Sequence, residues 1–335
     1  MAPREVRQPE VAGALAALLV ALVLVAPVVS GGASLVLLAA FLAEFLTDGA
    51  VPALSVLTVD PVRVPSRPGL DRYVGAALSA PPPLLLVHGL AAEGKDDPRV
   101  AHAARLLARA GFDVAVPTIP GLTRGRLRPD DAAPVVAALA ERRGPWAIVS
   151  VSVGAAPALS AAADPRVSER VGVVLALGPF ASASETVRFW LTGEFAYGEV
   201  RGRVVHDPAL VRAFVDANAD LLDEPLRQAL AAGTAVAVDR ALAELPATTR
   251  SLLDRLSPAR ALPAVRARAI LVHGYADPTI PYTESLRLAA ARPAGTTVIL
   301  VHGIAHVEGT RPTAWTLAGE VSRLWLALHT LRHPG

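Results

Sequence analysis

The stretch Trp146-Ala-Ile-Val-Ser150-Val-Ser152-Val-Gly154-Ala-Ala carries an apolar strand through a serine and a glycine straight into an alanine-rich helix. A chain passes from strand to helix in so few residues only through a sharp turn. In the G-x-S-x-G arrangement the central serine occupies that turn, and the residues two places to either side must be small or the turn cannot close. Gly154 fills the downstream place and Ser150 the upstream one. Serine at the upstream place departs from the usual glycine but meets the same demand for size.

Three further apolar runs end in a Val-His-Gly step. Pro83-Leu-Leu-Leu-Val-His88-Gly89-Leu90 comes first, then Ile270-Leu-Val-His273-Gly-Tyr-Ala-Asp277-Pro, then Val298-Ile-Leu-Val-His302-Gly-Ile-Ala-His306. With Ser152 they place a serine, then an acid, then a histidine along the chain. On these motifs, from about residue 56 to 331, the chain resembles the α/β-hydrolase superfamily, whose triad follows that order. Within it the chain is similar to the serine-hydrolase branch of dienelactone-hydrolase-like and acyl-peptidase-like esterases.

The resemblance implies roles that the residue types can fill. A serine hydroxyl is a weak nucleophile at neutral pH and needs a base within hydrogen-bond reach. Ser152 is the expected nucleophile, with Ser150 its rival two residues earlier. His306 is the expected general base and His302 the alternative, which directly ends its strand as His88 and His273 end theirs. Asp277 is the expected orienting acid, holding the imidazole tautomer and stabilising the imidazolium that forms. As an Asp before Pro278 it also reads as a turn former. The backbone N–H groups of Leu90 and Val153 would form the oxyanion hole, where donors stabilise developing negative charge. A metal centre on the three strand-end histidines lacks the companion carboxylate or cysteine spacing. No metal and no cofactor is expected.

Strand and helix patterns alternate from residue 84 onward: strands at 84–88, 112–119, 146–151, 171–177, 268–273 and 297–301, with helices at 98–110, 130–142, 153–163, 282–291 and 313–331. Short strands at 56–64 and 73–78 precede them. Near-continuous Val/Leu/Ile strands separated by helices predict a mostly parallel sheet covered on both faces, with ligands beyond the carboxyl ends of the strands. The fold class expected is therefore an α/β-hydrolase. Residues 181–258 interrupt the alternation with helical pattern, clearest at 207–222 and 224–243, and read as a cap over the site. Four of the seven phenylalanines fall between Phe180 and Phe214, with Trp190 and Tyr197. Such rings suit an apolar acyl or alcohol pocket, or serve to pin the cap to the body.

The N-terminus is expected to be a separate unit, residues 1–47 preceding a domain of 48–335. Val11 to Val29 is nineteen residues without a charge, enough helix at about 1.5 Å per residue to span roughly the hydrocarbon thickness of a bilayer. A second apolar run, Ala33 to Phe45, follows Ser30-Gly31-Gly32 and is interrupted only by Glu44. Residues 11–46 are expected to meet membrane lipid as one anchor with an interfacial helix or as a pair of short spans. A cleaved signal peptide is disfavoured by the long apolar core and the poor Val28-Val29-Ser30 site. Arg4 and Arg7 favour a cytoplasmic start.

Composition excludes other classes. Cysteine is absent, which removes disulfides, thiolate metal sites and a cysteine nucleophile. A net charge of +2, with Lys95 the one lysine, gives no basic patch for nucleic acid. Asp97-Pro98 reads as a helix cap, with substrate recognition by Lys95 or Arg99 the lesser alternative, and Arg124, Arg126 and Arg128 read as a solvated loop, with a face toward lipid headgroups the lesser alternative. The sequence thus predicts a membrane-anchored serine hydrolase acting on a small carboxylic ester or thioester through an acyl-enzyme on Ser152. The alternatives are a small-peptide hydrolase and a non-catalytic, hydrolase-like protein that binds a ligand or partner under the cap. Oligomeric state is left open.

Overall fold

Leu84, Leu86, Leu85 and Val87 show how the sheet is built: the first two face one apolar core and the second two face another. Alternate residues of a strand point to opposite faces, so a strand that is apolar throughout must be covered on both sides. The computed structural model describes residues 32–75, 81–142, 144–219, 224–232, 234–304 and 314–334. In chain order the elements are α1 (Gly32–Leu46), α2 (Ala53–Leu57), β1 (Val62–Arg67), β2 (Leu70–Val74), β3 (Pro83–Val87), α3 (Pro98–Arg109), β4 (Asp113–Pro117), α4 (Ala132–Ala140), β5 (Trp146–Val151), α5 (Ala155–Ala163), β6 (Val171–Leu177), α6 (Ala183–Thr192), β7 (Glu194–Tyr197), β8 (Val200–Arg203), α7 (Pro208–Ala217), α8 (Glu224–Ala232), α9 (Ala235–Ala243), α10 (Ala247–Leu256), α11 (Pro258–Ala261), β9 (Arg268–Gly274), α12 (Thr283–Ala291), β10 (Thr296–Val301) and α13 (Ala314–Arg332).

The main sheet has the strand order β1-β2-β4-β3-β5-β6-β9-β10. From β4 to β10 every pairing is parallel, and β1 and β2 add an antiparallel edge. One face packs under α1, α3 and α13, the other against α4, α5 and the segment before β9. Helix α3 starts as its sequence predicts: Asp97 Oδ1 accepts the Arg99 N–H at 2.9 Å and Pro98 takes the first position. Lys95 pairs with Asp71 at 3.1 Å.

Two expectations near the N-terminus change. The strand expected over 56–64 begins only at Val62, and residues 53–57 are helical instead. Leu54 is the buried residue of that short helix while Val56 and Leu57 face outward, a burial pattern that no alternating strand would produce. The second apolar run, expected to face the membrane, forms α1 and packs into the main core instead. Leu38, Ala40 and Leu42 are at most 3% exposed and contact the same cluster as Leu324 and Leu328 of α13. Fifteen residues of helix rise about 22 Å, short of the roughly 30 Å hydrocarbon thickness. Folding α1 onto the sheet buries its side chains against protein, where each large apolar one contributes about 1.5–3 kcal/mol. Glu44, the charge within this run, is buried too and accepts the Ser55 N–H at 2.8 Å. Residues 1–31, with the first apolar run, lie outside the described residues. Among the described residues no helix is long and apolar enough to cross a membrane.

The interruption after β6 is an insertion of helices with one hairpin. The run expected as a single helix over 224–243 is two, α8 and α9, and Thr234 caps the second by accepting the Ala237 N–H at 3.3 Å. The β7–β8 hairpin was not legible beforehand. The insertion has its own small core, including Leu226, Val238 and Leu245. Its two ends are stitched together, Ala259 N–H donating to the Ala181 carbonyl at 3.1 Å.

Candidate active site

Ser152 stands where β5 turns into α5, at the start of a single 3-10 turn, Ser152–Gly154. Its φ is +55°, and among described non-glycine residues only Asp48 shares a positive value. Left-handed backbone costs a residue with a side chain about 1–3 kcal/mol, and it persists where surrounding structure forces it. Here the force comes from β3. A Cβ on Gly154 would strike the His88 carbonyl oxygen, and one on Gly89 would lie 3.1 Å from the Val151 carbonyl oxygen and 3.2 Å from Ser152 Cβ. The turns after β3 and β5 are thus packed backbone against backbone.

Leu90 and Val153 follow those two turns. Neither amide donates a hydrogen bond among the described residues, and both residues line the same cavity as Ser152. His88 locks the first turn. Its Nε2 accepts the Ile119 N–H at 3.0 Å, so the proton sits on Nδ1, which donates to the Gly89 carbonyl at 2.7 Å. Burial holds its pKa below the ordinary imidazole value, consistent with a neutral ring in a structural position. Ser150 is fully buried, and its hydroxyl has no partner among the described residues.

Asp277 sits on the loop after β9, 4% exposed. Its Oδ1 accepts the N–H groups of Thr279 at 2.8 Å and Ile280 at 2.9 Å, the turn its place before Pro278 suggested. Its Oδ2 lies 3.2 Å from His273 Nε2. That ring is itself pinned, Nδ1 to the Ser285 hydroxyl at 2.7 Å and Nε2 to the Ile280 carbonyl at 2.8 Å. His273 therefore sets the Asp277 loop from below, a role the sequence reading did not assign.

His306 lies outside the described residues. His302, its rival, is described: its ring is tilted over Tyr275 at 4.5 Å, and its Nδ1 is 2.9 Å from Glu320 of α13. The ring is not on the wall of the Ser152 cavity. Glu320, 3% exposed, also accepts the N–H groups of His302 at 2.8 Å and Gly303 at 3.0 Å. A buried glutamate thereby fixes His302 and Gly303 directly after β10. Nothing in the periodicity of α13 marks it, because a lone acid within an apolar pattern reads as a surface position. Glu284 does the same for the cap: buried in α12, it accepts the N–H groups of Ala181 at 2.9 Å and Ser182 at 3.0 Å.

The cavity that Ser152 lines has a volume of about 800 Å³ and walls that are mostly hydrocarbon. Thr279 and Ile280 of the Asp277 loop reach it, as do Phe180 and Trp190 of the cap region. The aromatic cap divides between the two roles considered for it. Phe180 and Trp190 face the cavity, while Phe189 packs edge-on against His206 at 4.6 Å and Phe195 against Tyr282 at 6.4 Å, which pins the hairpin to the body.

The structure is similar to an acylaminoacyl peptidase from Pyrococcus horikoshii, with 15% identity and a TM-score of 0.51, over 82% of this chain and 41% of that one. It is also similar to a puromycin-hydrolyzing peptidase of Mycobacterium tuberculosis, with 18% identity and a TM-score of 0.50, over 84% and 40%. The chain spans about two fifths of the length of these proteins, and at such identities the likeness is one of fold. No curated protein matches the sequence significantly. The sequence pattern described as the alpha/beta hydrolase fold matches residues 82–307, which holds β3, the Ser152 turn and the Asp277 loop, and the chain belongs to that family.

Proposed function

We propose that this protein is a serine hydrolase that cleaves a carboxylic ester or thioester through an acyl-enzyme on Ser152. The observation that carries the proposal is the left-handed Ser152, held on a strand-to-helix turn on the wall of a large apolar cavity. A constrained serine whose cavity is also lined by Leu90 and Val153, with uncommitted amides, supports acyl transfer. Ser152 Oγ bonds to the acyl carbon while its proton passes to the base, which we assign to His306. The carbonyl oxygen, now negative, is received by the N–H groups of Leu90 and Val153. The acyl bond to the leaving alcohol or thiol then breaks, and that group takes the proton from the base. Water, deprotonated by the same base, attacks the acyl carbon, releasing the acid and returning the proton to Ser152 Oγ. Asp277 orients the histidine. The mostly hydrocarbon cavity supports an apolar acyl group over a charged one.

A fluorophosphonate probe tests the site as a unit, because labelling needs the nucleophile, its base and the oxyanion donors together. The folded full chain should label and Ser152→Ala should not; a folded wild type that no small probe labels overturns the assignment. p-Nitrophenyl esters assayed beside peptidyl arylamides separate ester from peptide hydrolysis. Residues 11–29 are proposed as a membrane anchor. The protein should then remain with membranes through a carbonate wash, since apolar burial is insensitive to ionic strength, and release by that wash would remove the anchor from the proposal.

A further inference from the structure

The cavity does not end beneath the cap. From Ser152 it continues past Val151 and Val149 along one face of the sheet, and its far walls are Phe41 and Phe45 of α1, Ala103 of α3, and Ala327 and Leu328 of α13. Along α13 it follows the helix from Leu324 to Leu331, a rise of about 10 Å. Both α1 and α13 lie outside the segment that matches the family pattern. They close what would otherwise be an open sheet face into a channel that joins the nucleophile. Its buried acid, Glu44, is engaged with the Ser55 N–H; Asp48, Arg99 and His102 also line the cavity, but its walls are mostly hydrocarbon.

We propose that this branch is the acyl-chain site: the substrate is a long-chain fatty acyl ester or thioester, its chain running from Ser152 between the sheet and the terminal helices, with its methyl end against α1. The inference rests on the acyl-transfer reading above. Other long apolar groups could fill hydrocarbon walls, but a chain attached to the carbon that Ser152 attacks is the one occupant anchored at the mouth of the channel. The cavity is also near the upper end of the range for small-molecule sites, about 300–1,000 Å³, more than a short acyl group fills. By this placement α1 is part of the binding site, and its removal should alter chain-length preference.

The test compares p-nitrophenyl butyrate with laurate in the wild type and in two variants that fill the channel from different helices, Ala103→Phe and Ala327→Phe. Each methylene buried should raise kcat/KM about fourfold, so the wild type should favour laurate strongly. The variants, shown by thermal melting to be folded, should lower the laurate-to-butyrate ratio of kcat/KM at least tenfold. A wild type that favours butyrate, or variants that leave the laurate-to-butyrate ratio unchanged, overturns the channel. Calorimetric titration of the unmodified full chain with lauric and butyric acids separates this from the hydrolase reading. Lauric acid binding in a protein that no probe labels would sink the hydrolase and leave the channel standing. Labelling without lauric acid binding would do the reverse. Should both variants fail to fold, that titration decides alone.

Discussion

Gly89 is packed against Ser152 so closely that a methyl group on the glycine would lie 3.2 Å from Ser152 Cβ. The turns after β3 and β5 are therefore packed as one mechanical unit around Ser152. Gly154→Ala should be the more damaging change, because the added carbon would collide with the His88 carbonyl oxygen and lie 2.9 Å from that of Val87, whereas one on Gly89 would meet nothing nearer than the Val151 carbonyl oxygen at 3.1 Å. Overpacking of this kind costs about 3 kcal/mol. Thermal melting should show the loss, and labelling of Ser152 should fall with it. Gly89→Ala should cost less stability yet still reduce labelling, because it displaces the Leu90 amide.

Ser150→Ala should do the opposite. The Ser150 hydroxyl is fully buried and without a partner among the described residues, and such a group carries an uncompensated desolvation cost of about 1–3 kcal/mol. Alanine still meets the size limit of the turn. The expected result is a melting temperature equal to or above the wild type, with labelling retained. A large fall in labelling would make Ser150 part of the chemistry.

Asp277→Asn separates orientation from folding. The asparagine Oδ1 can still accept the Thr279 and Ile280 N–H groups that shape the loop. What disappears is the negative charge that, in the proposed triad, stabilises the imidazolium. The melting temperature should change little, while kcat falls by on the order of 10³–10⁴. Equal loss of stability and activity would mark Asp277 as a turn former alone.

His88 gives a pH dependence with a defined sign. Burial lowers its folded pKa below 6.5, so on acidification the unfolded chain takes up a proton that the folded one resists. The stability from keeping this ring neutral is present above about pH 6.5 and is lost as pH falls from there toward the lowered folded value. Melting temperatures should decline through that window, and His88→Gln should flatten the decline by about one proton in the slope. An unchanged slope would show that another group governs it. The same variant disturbs the bonds to Ile119 N–H and the Gly89 carbonyl, so it should melt lower throughout, by about 1–3 kcal/mol.

What the sequence determined by itself was local and periodic. Continuous apolar runs such as Leu84 to Val87 specify strands covered on both faces, and small residues at 150 and 154 permit the turn at Ser152. The Asp97-Pro98 pair starts a helix where the structure has one. Each of these follows from residues within a few positions of one another. The long-range pairings were illegible for the same reason. Glu320 holding the loop after β10, Glu284 holding the base of the cap and His273 beneath Asp277 are single polar residues in unremarkable patterns, and only the folded chain brings their partners within reach. The same holds for α1. Ala33 to Phe45 is apolar enough to suit either lipid or a protein core, because hydrophobic burial is nondirectional and takes no account of which apolar surface is supplied. Tertiary structure decided between the two by offering α13 and the sheet as that surface, and in doing so it made the helix a wall of the cavity that Ser152 opens into.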